Sequence, residues 1–320
     1  MEKQEEEEAV VEINNESVSL SSLPSSYKLL LKCPLGLTLD QVSVDFSSCY
    51  DRTPHSDKNL ENSICETWKE RIQQTPSLFN GTKFRYGGYS LQNVDGSNQK
   101  SHVCLHLGLT DYRTFMGTNL SAKWEEFLVP SEDDTVRCQH TSSPLGNGAV
   151  VETLDKKIIV LQRSENVGEF PGHFVFPGGH PEPQEIGISG HEYAKDLADS
   201  EHTKRKLSQE MFESIIREVV EEIGVPVPYL SDPIFIGISR REFNVRPSAF
   251  FFLKCSLESK EIQKLYSTAQ DGYESVRLFT VSRSELEKMA TKMPGCHQGG
   301  WALYELMVGE GRLIEEKQNQ

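Results

Sequence analysis

The run Arg217-Glu218-Val219-Val220-Glu221-Glu222-Ile223-Gly224-Val225 decides how this 320-residue chain is read. On a helix Glu218 meets Glu221 and Glu222 at i,i+3 and i,i+4, where like charges repel unless a cation lies between them. A hard divalent ion removes that repulsion. Mg²⁺ takes oxygen ligands, keeps several waters, and completes its shell with one or two carboxylates and substrate phosphates. A charge-rich helix by itself is usually a solvated face, so the segments around it carry the argument. Upstream, Phe174-Val175-Phe176-Pro177-Gly178-Gly179 is a short apolar run ending in glycines, which let the backbone turn sharply beside a ligand. Phe212, Ile216, Val219 and Ile223 recur as the core stripe of a helix predicted from about Leu207 to Ile223, and Glu218 and Glu222 flank that stripe.

Gly179, then Glu185, then Arg-Glu-apolar-x-Glu-Glu-x-Gly-apolar at 217–225 resembles the signature of the Nudix hydrolases, which cleave nucleoside diphosphates linked to another group. The pattern is interrupted once: residues 186–216, 31 in all, separate Glu185 from Arg217, where the family has seven. The extra stretch, Ile186 to about Leu207, is polar and His-bearing and reads as an excursion from the loop before the helix, long enough to overhang the site. It leaves the helical carboxylates intact and takes Glu185 out of its usual spacing. Phe79-Asn80-Gly81-Thr82-Lys83-Phe84-Arg85, Leu105 to Arg113, Gly117-Thr118-Asn119 and Gly178 to Gln184 are similar to the subgroup that hydrolyses UDP-glucose and UDP-galactose and carries its own N-terminal domain. The similarity covers roughly residues 26 to 310.

The resemblance implies an α/β fold, a Nudix α/β/α sandwich around a mixed sheet with an N-terminal α/β arm. It also implies Mg²⁺-dependent hydrolysis, with Mn²⁺ as a substitute ion, of a nucleotide sugar to UMP and a sugar 1-phosphate. The alternatives are a hydrolase of another nucleoside diphosphate compound, such as NADH or ADP-ribose, and a non-catalytic nucleotide-sugar binder. Phosphoanhydride cleavage needs charge neutralisation and an oriented water more than covalent chemistry. Glu218 and Glu222 are the expected metal ligands and Glu221 a third catalytic candidate; clustered carboxylates titrate as a set, so the one that takes the water's proton is left open. Arg217 is expected to pair with a neighbouring glutamate and aim it. For the substrate, Arg163 offers a bidentate phosphate contact, His180 and Glu182 lie in the glycine turn, and Phe84 and Tyr112 offer aromatic faces for uracil. His297-Gln298-Gly299-Gly300 also resembles the subgroup and is given no role.

A formal charge of −15 and a pI near 5.1 argue against general nucleic-acid or anionic-membrane binding, so a polyphosphate substrate needs local cations. Seven cysteines show no CxxC pair, which predicts reduced thiols and, with no stretch as long as a membrane span, a cytoplasmic protein. Oligomeric state is not readable. Residues 1–26, with the run Glu5 to Glu8, predict a disordered acidic tail. Residues 27–140 read as the arm, with strands at Tyr27 to Leu31 and Gln41 to Phe46 and a helix through Ile64, Trp68 and Ile72. The polar stretch around Glu132 to Pro144 marks the boundary, and 141–320 reads as the hydrolase domain, ending in a helix through Trp301 to Val308.

Overall fold

Ala149–Val151, Ile158–Leu161 and Ala249–Leu253 are continuous apolar stretches, and strands of that kind must be covered on both faces. A computed structural model describes residues 27–92, 102–165, 167, 169–191, 201–266 and 275–318. In chain order the strands are β1 (Tyr27–Leu37), β2 (Val42–Phe46), β3 (Thr82–Gln92), β4 (His102–Asp111), β5 (Gly146–Glu152), β6 (Ile158–Arg163), β7 (Phe174–Val175), β8 (Ile234–Arg241), β9 (Pro247–Lys254) and β10 (Ser275–Val281). The helices are α1 (Lys58–Gln74), α2 (Tyr112–Gly117), α3 (Asp134–Arg137), α4 (Glu201–Ile223), α5 (Ser259–Tyr266), α6 (Arg283–Met289) and α7 (Gly295–Gln318).

The large sheet runs β1-β8-β9-β5-β6-β10, with β7 pairing β6. It is mixed: β5 and β9 are parallel and the other neighbours antiparallel. Alternation sorts its side chains into two cores. Ala149, Val151, Ile159, Leu161, Phe251 and Leu253 face α4, which contributes Met211, Phe212, Ile215, Val219 and Ile223. Val150, Ile158, Val160, Ile236 and Phe250 face α7, which contributes Leu303 and Tyr304. This is the helix, sheet, helix sandwich the sequence led us to expect. Ile216 of the predicted stripe packs only at the margin of the first core.

The remaining strands form a small sheet, β2-β4-β3, that shares the α4 core through Val42, Val44, Phe84, Leu105 and Leu107. β3 and β4 were legible only as segments resembling the subgroup, and they pair along their whole length. β1 stands apart from the rest of the arm, because its backbone bonds to β8 at the edge of the large sheet. Arg85 of β3 joins the arm to the segment entering β5: it is buried and donates to the carbonyls of Tyr50, Cys138 and Thr141 at 2.7, 3.0 and 3.3 Å.

Both described ends of the inserted stretch are built into the core. Ile188 is buried, and His191 stacks on Phe46 with centroids 4.8 Å apart and places Nε2 2.9 Å from Asp51 Oδ1. At the other end α4 begins at Glu201, earlier than the expected Leu207, and Thr203 and Leu207 are buried. The stretch therefore lengthens the helix that carries Glu218 and Glu222 and packs against the small sheet. Residues 192–200, where an overhang was expected, and the acidic tail 1–26 lie outside the described residues. All seven cysteines are free, and among the described residues no helix is long and apolar enough to cross a membrane.

Removing a buried aliphatic side chain costs the transfer free energy plus that of the cavity left behind. Ile188→Ala should therefore lower unfolding free energy by about 2–5 kcal/mol in urea denaturation, and a change under about 0.5 kcal/mol would assign the residue to the surface.

Candidate active site

The glycine turn after β7 is held by acceptors from two other elements. Gly178 N–H donates to Glu222 Oε2 at 2.7 Å, Gly179 N–H to Asn147 Oδ1 at 2.7 Å, and His180 N–H to Glu218 Oε1 at 3.1 Å. Asn147 lies on β5; its own N–H returns to the Gly179 carbonyl at 3.0 Å, and its amide donates to Ser214 of α4 at 3.0 Å. The approach requires glycine: Gly178 has φ +158, a Cβ there would collide with the Asn147 carbonyl, and a Cβ on Gly179 would collide with the Glu218 carboxylate. Turn, strand and helix thus meet along one wall of a cavity of about 740 Å³.

The cavity also has a cationic side. Arg163, Arg241 and Arg246 all line the cavity and converge on Glu169. Arg246 Nη1 reaches Glu169 Oε2 at 2.6 Å, Arg241 Nη2 donates to Glu169 Oε1, and Arg163 Nε donates to the Glu169 carbonyl at 2.9 Å. Burial opposes ionisation of Glu169, but Arg241 and Arg246 outweigh it and hold the carboxyl down at about 2. One carboxylate faces three guanidiniums, so this wall keeps a positive surplus. Arg246 also stacks over Phe115 and Arg241 over Phe170, at 5.4 and 4.8 Å to the ring centroids.

The β8–β9 connection aims Arg241 and Arg246. Asn244 and Val245 there have φ +53 and +49, and for a β-branched valine that conformation is strained. The tip is held from both sides: Asn244 Oδ1 accepts from Arg241 Nε at 2.5 Å, and its carbonyl accepts from Asn119 Nδ2 at 2.7 Å. Asn119 Oδ1 in turn accepts from Ser143 N–H at 3.0 Å. The Gly117-Thr118-Asn119 segment thereby acts on the cavity through the hairpin that carries its cations.

Of the residues singled out by sequence, Glu218, Glu222, Arg163, His180 and Tyr112 line this one cavity. His180 receives Arg246 Nη2 on its Nε2 at 2.6 Å and is kept neutral by burial, then by the charges of Arg246 and Lys83. Phe84 does not face the cavity: it is 1 % exposed, meets Phe46 edge to face, and presents no open ring for a base. Glu221 is half-buried and does not line the cavity. Glu182 points to Lys83, at 2.5 Å, and it is Lys83 that lines the cavity. Arg217 does pair with a glutamate, but with Glu210 two turns back, at 2.8 Å. Glu210 is buried and also accepts from Glu182 N–H at 2.9 Å, so the pair holds the exit of the glycine turn. Glu185 is exposed on a short 3₁₀ turn.

Sequence reasoning missed Glu169, Glu210, Arg241 and Arg246. Only the seven-residue spacing of Glu210 and Arg217 on one helix face hinted at any of them.

The donors suit a divalent cation shared with a phosphate-bearing ligand. Among the described residues no three His, Cys, Asp or Glu side chains converge as an all-protein cage would require. Mg²⁺ needs no such cage, since it is commonly held by one or two carboxylates together with substrate oxygens and waters. Glu218 and Glu222, one turn apart and oriented by backbone N–H groups, are that kind of donor pair.

The chain is similar to several known proteins. The chain is 65% identical over 285 residues to Nudix hydrolase 9 of Arabidopsis thaliana, covering 89% of this chain and 92% of that protein. It is 35% identical over 265 residues to uridine diphosphate glucose pyrophosphatase NUDT22 of Mus musculus, covering 82% of this chain and 83% of that protein. Among solved structures, a MutT protein from Methanosarcina mazei Go1 aligns over 52% of this chain and 94% of its own, at 18% identity and a TM-score of 0.32. No family model matches the chain.

Two stability measurements test these placements. Because the Glu169 carboxyl sits at about 2, below its ordinary 4.5, its charge stabilises the fold fully above pH 4.5 and loses that effect as pH falls towards 2. The urea-unfolding gap between wild type and Glu169→Gln should be widest above about pH 5 and narrow through that window; a gap independent of pH would contradict the ion-pair assignment. Phe84→Ala should cost about 3–5 kcal/mol of stability as a core truncation, read by the same unfolding assay.

Proposed function

We propose a substrate and a cofactor for this chain, which belongs to the Nudix hydrolase family and is a pyrophosphate-hydrolysing enzyme: a UDP-sugar such as UDP-glucose, cleaved with Mg²⁺ to UMP and a sugar 1-phosphate. The observation that carries the reading is one cavity lined both by two carboxylates, Glu218 and Glu222, and by three guanidiniums, Arg163, Arg241 and Arg246. Similarity to the mouse uridine diphosphate glucose pyrophosphatase supports the choice of nucleotide. Free thiols at all seven cysteines support a reducing compartment such as the cytoplasm.

In this reading Glu218 and Glu222 hold Mg²⁺, which when bound polarises a phosphoryl oxygen and acidifies a water. The three arginines take the non-bridging oxygens of the diphosphate, where a planar fork donates two bonds at once and a dry wall strengthens them. Their surplus charge offsets the acidity of the chain as a whole, which would otherwise repel a polyphosphate. Tyr112, half-buried between Trp68 and Phe115 at 6.2 and 6.3 Å, lines the cavity and offers its ring to the uracil. The proton of the attacking water goes to the α4 carboxylates, which titrate as a set. Gly178 and Gly179 keep those carboxylates aimed by leaving room for their contact with the turn.

Incubation with Mg²⁺ and UDP-glucose, UDP-galactose, NADH or ADP-ribose, with products identified by chromatography, should give UMP and a hexose 1-phosphate from the UDP-sugars. Turnover of NADH or ADP-ribose alone would overturn the substrate assignment. Glu222→Gln should lower kcat by about 10²–10⁴ with the circular dichroism spectrum intact, since the amide can still accept from Gly178 but carries no charge for the ion. Wild-type kcat at saturating Mg²⁺ would remove Glu222 from the site.

A further inference from the structure

The segment His297-Gln298-Gly299-Gly300 lies in the first two turns of α7, and its glycines have a contact reason. A Cβ on Gly299 would collide with Ser239 of β8, and one on Gly300 with the ring of Phe250 on β9. The helix start is thus pressed against the large sheet at a distance only glycine permits. That closeness seats His297 on the cavity wall with Pro294 and Cys296, in the cavity that Glu222 also lines.

The imidazole is fixed in both position and tautomer. Its ring packs between Phe176 and Phe250, with centroids 6.0 and 5.7 Å away. Phe176 N–H donates to Nδ1 at 3.1 Å, so Nδ1 carries the lone pair and Nε2 carries the hydrogen. Among the described residues no acceptor meets Nε2. Burial, then the charges of Arg163, Arg246 and Arg241, push the imidazole down to about 3, which keeps a second proton off the ring.

We propose that His297 is a substrate-positioning donor: its Nε2–H donates to an oxygen of the bound nucleotide sugar, as a neutral group among three cations. The proposal rests on the UDP-sugar reading. A fourth cation in this wall would be repelled by the guanidiniums, whereas a neutral N–H can approach them and still bind an acceptor. The acceptor is a phosphoryl oxygen or a sugar hydroxyl, and binding distinguishes the two.

Calorimetric titration with UDP and with UDP-glucose, in metal-free buffer, would compare wild type with His297→Phe, which keeps a ring and loses the donor, and His297→Gln, which keeps an N–H. His297→Phe should weaken UDP-glucose binding about tenfold and His297→Gln should recover most of it. An equal loss for UDP assigns the acceptor to phosphate, and a loss for UDP-glucose alone assigns it to the sugar. Unchanged affinity in His297→Phe, or an equal loss in both variants, would overturn the donor role in favour of none or of packing. Long-range ¹H–¹⁵N spectra of the free wild type should show the Nε2–H tautomer, and the Nδ1–H form would overturn the proposal without any variant having to fold. If wild type binds neither ligand, with or without Mg²⁺, the UDP-sugar reading falls and the donor role with it. If wild type binds both and the variants match it, only the donor role falls.

Discussion

Three consecutive backbone N–H groups, at Gly178, Gly179 and His180, need acceptors, and each finds one on a different residue: Glu222, Asn147 and Glu218. Leaving a buried amide unsatisfied costs about 1–3 kcal/mol, so the turn, β5 and α4 are locked to one another by ordinary backbone chemistry. The same bonds orient the carboxylates on which the site depends. Asn147 secures the arrangement by also donating to Ser214, one helical turn before Glu218. Glycine at 178 and 179 is a steric requirement of this junction, because any side chain there would displace the acceptors it serves.

The cationic wall answers a different difficulty. In the proposed reading a chain with a formal charge of −15 must still accept a polyanion, and Arg241 and Arg246 on one short hairpin, with Arg163 on β6, would meet it. Packing like charges together is unfavourable unless a counter-charge lies between them, and Glu169 supplies it. The hairpin tip is held in a strained left-handed conformation at Asn244 and Val245. Asn119, from the N-terminal part of the chain, bonds the Asn244 carbonyl. The N-terminal arm therefore contributes to the cavity in two ways, through residues that line it, such as Tyr112, and through support for residues that belong to the hydrolase sheet.

The stretch that interrupts the signature between Glu185 and Arg217 extends α4 towards its N-terminus and anchors it. Ile188 enters the core shared with the small sheet, and His191 stacks against Phe46 of β2. A helix that carries the site carboxylates at its C-terminal end gains from such an anchor, since a displacement of even about 1 Å at a reacting group can be costly in rate. Arg217 belongs to the same scaffold. By pairing with the buried Glu210 it fixes the acceptor for Glu182 N–H, and so the loop that leaves the glycine turn.

Local pattern by itself determined a good deal. The apolar stripe of α4, the continuous strands and the run from Glu218 to Glu222 are short-range properties, legible because period and like-charge repulsion act within a few residues. The helix and its carboxylate pair could be read from them, whereas the layered α/β architecture and the meeting of that helix with a glycine turn were implied by the resemblance to the Nudix hydrolases. Partners distant in sequence could not. Phe84 alone reads as a core ring, and the resemblance made it a stacking platform until β3 placed it against Phe46; Arg217 has several glutamates within reach until burial selects Glu210. Arg241, Arg246 and Glu169 carry no motif; only the fold of β8 and β9 brings the two arginines onto Glu169, which lies more than seventy residues earlier. The tertiary structure decided those because burial, not spacing, chooses which charges must be paired.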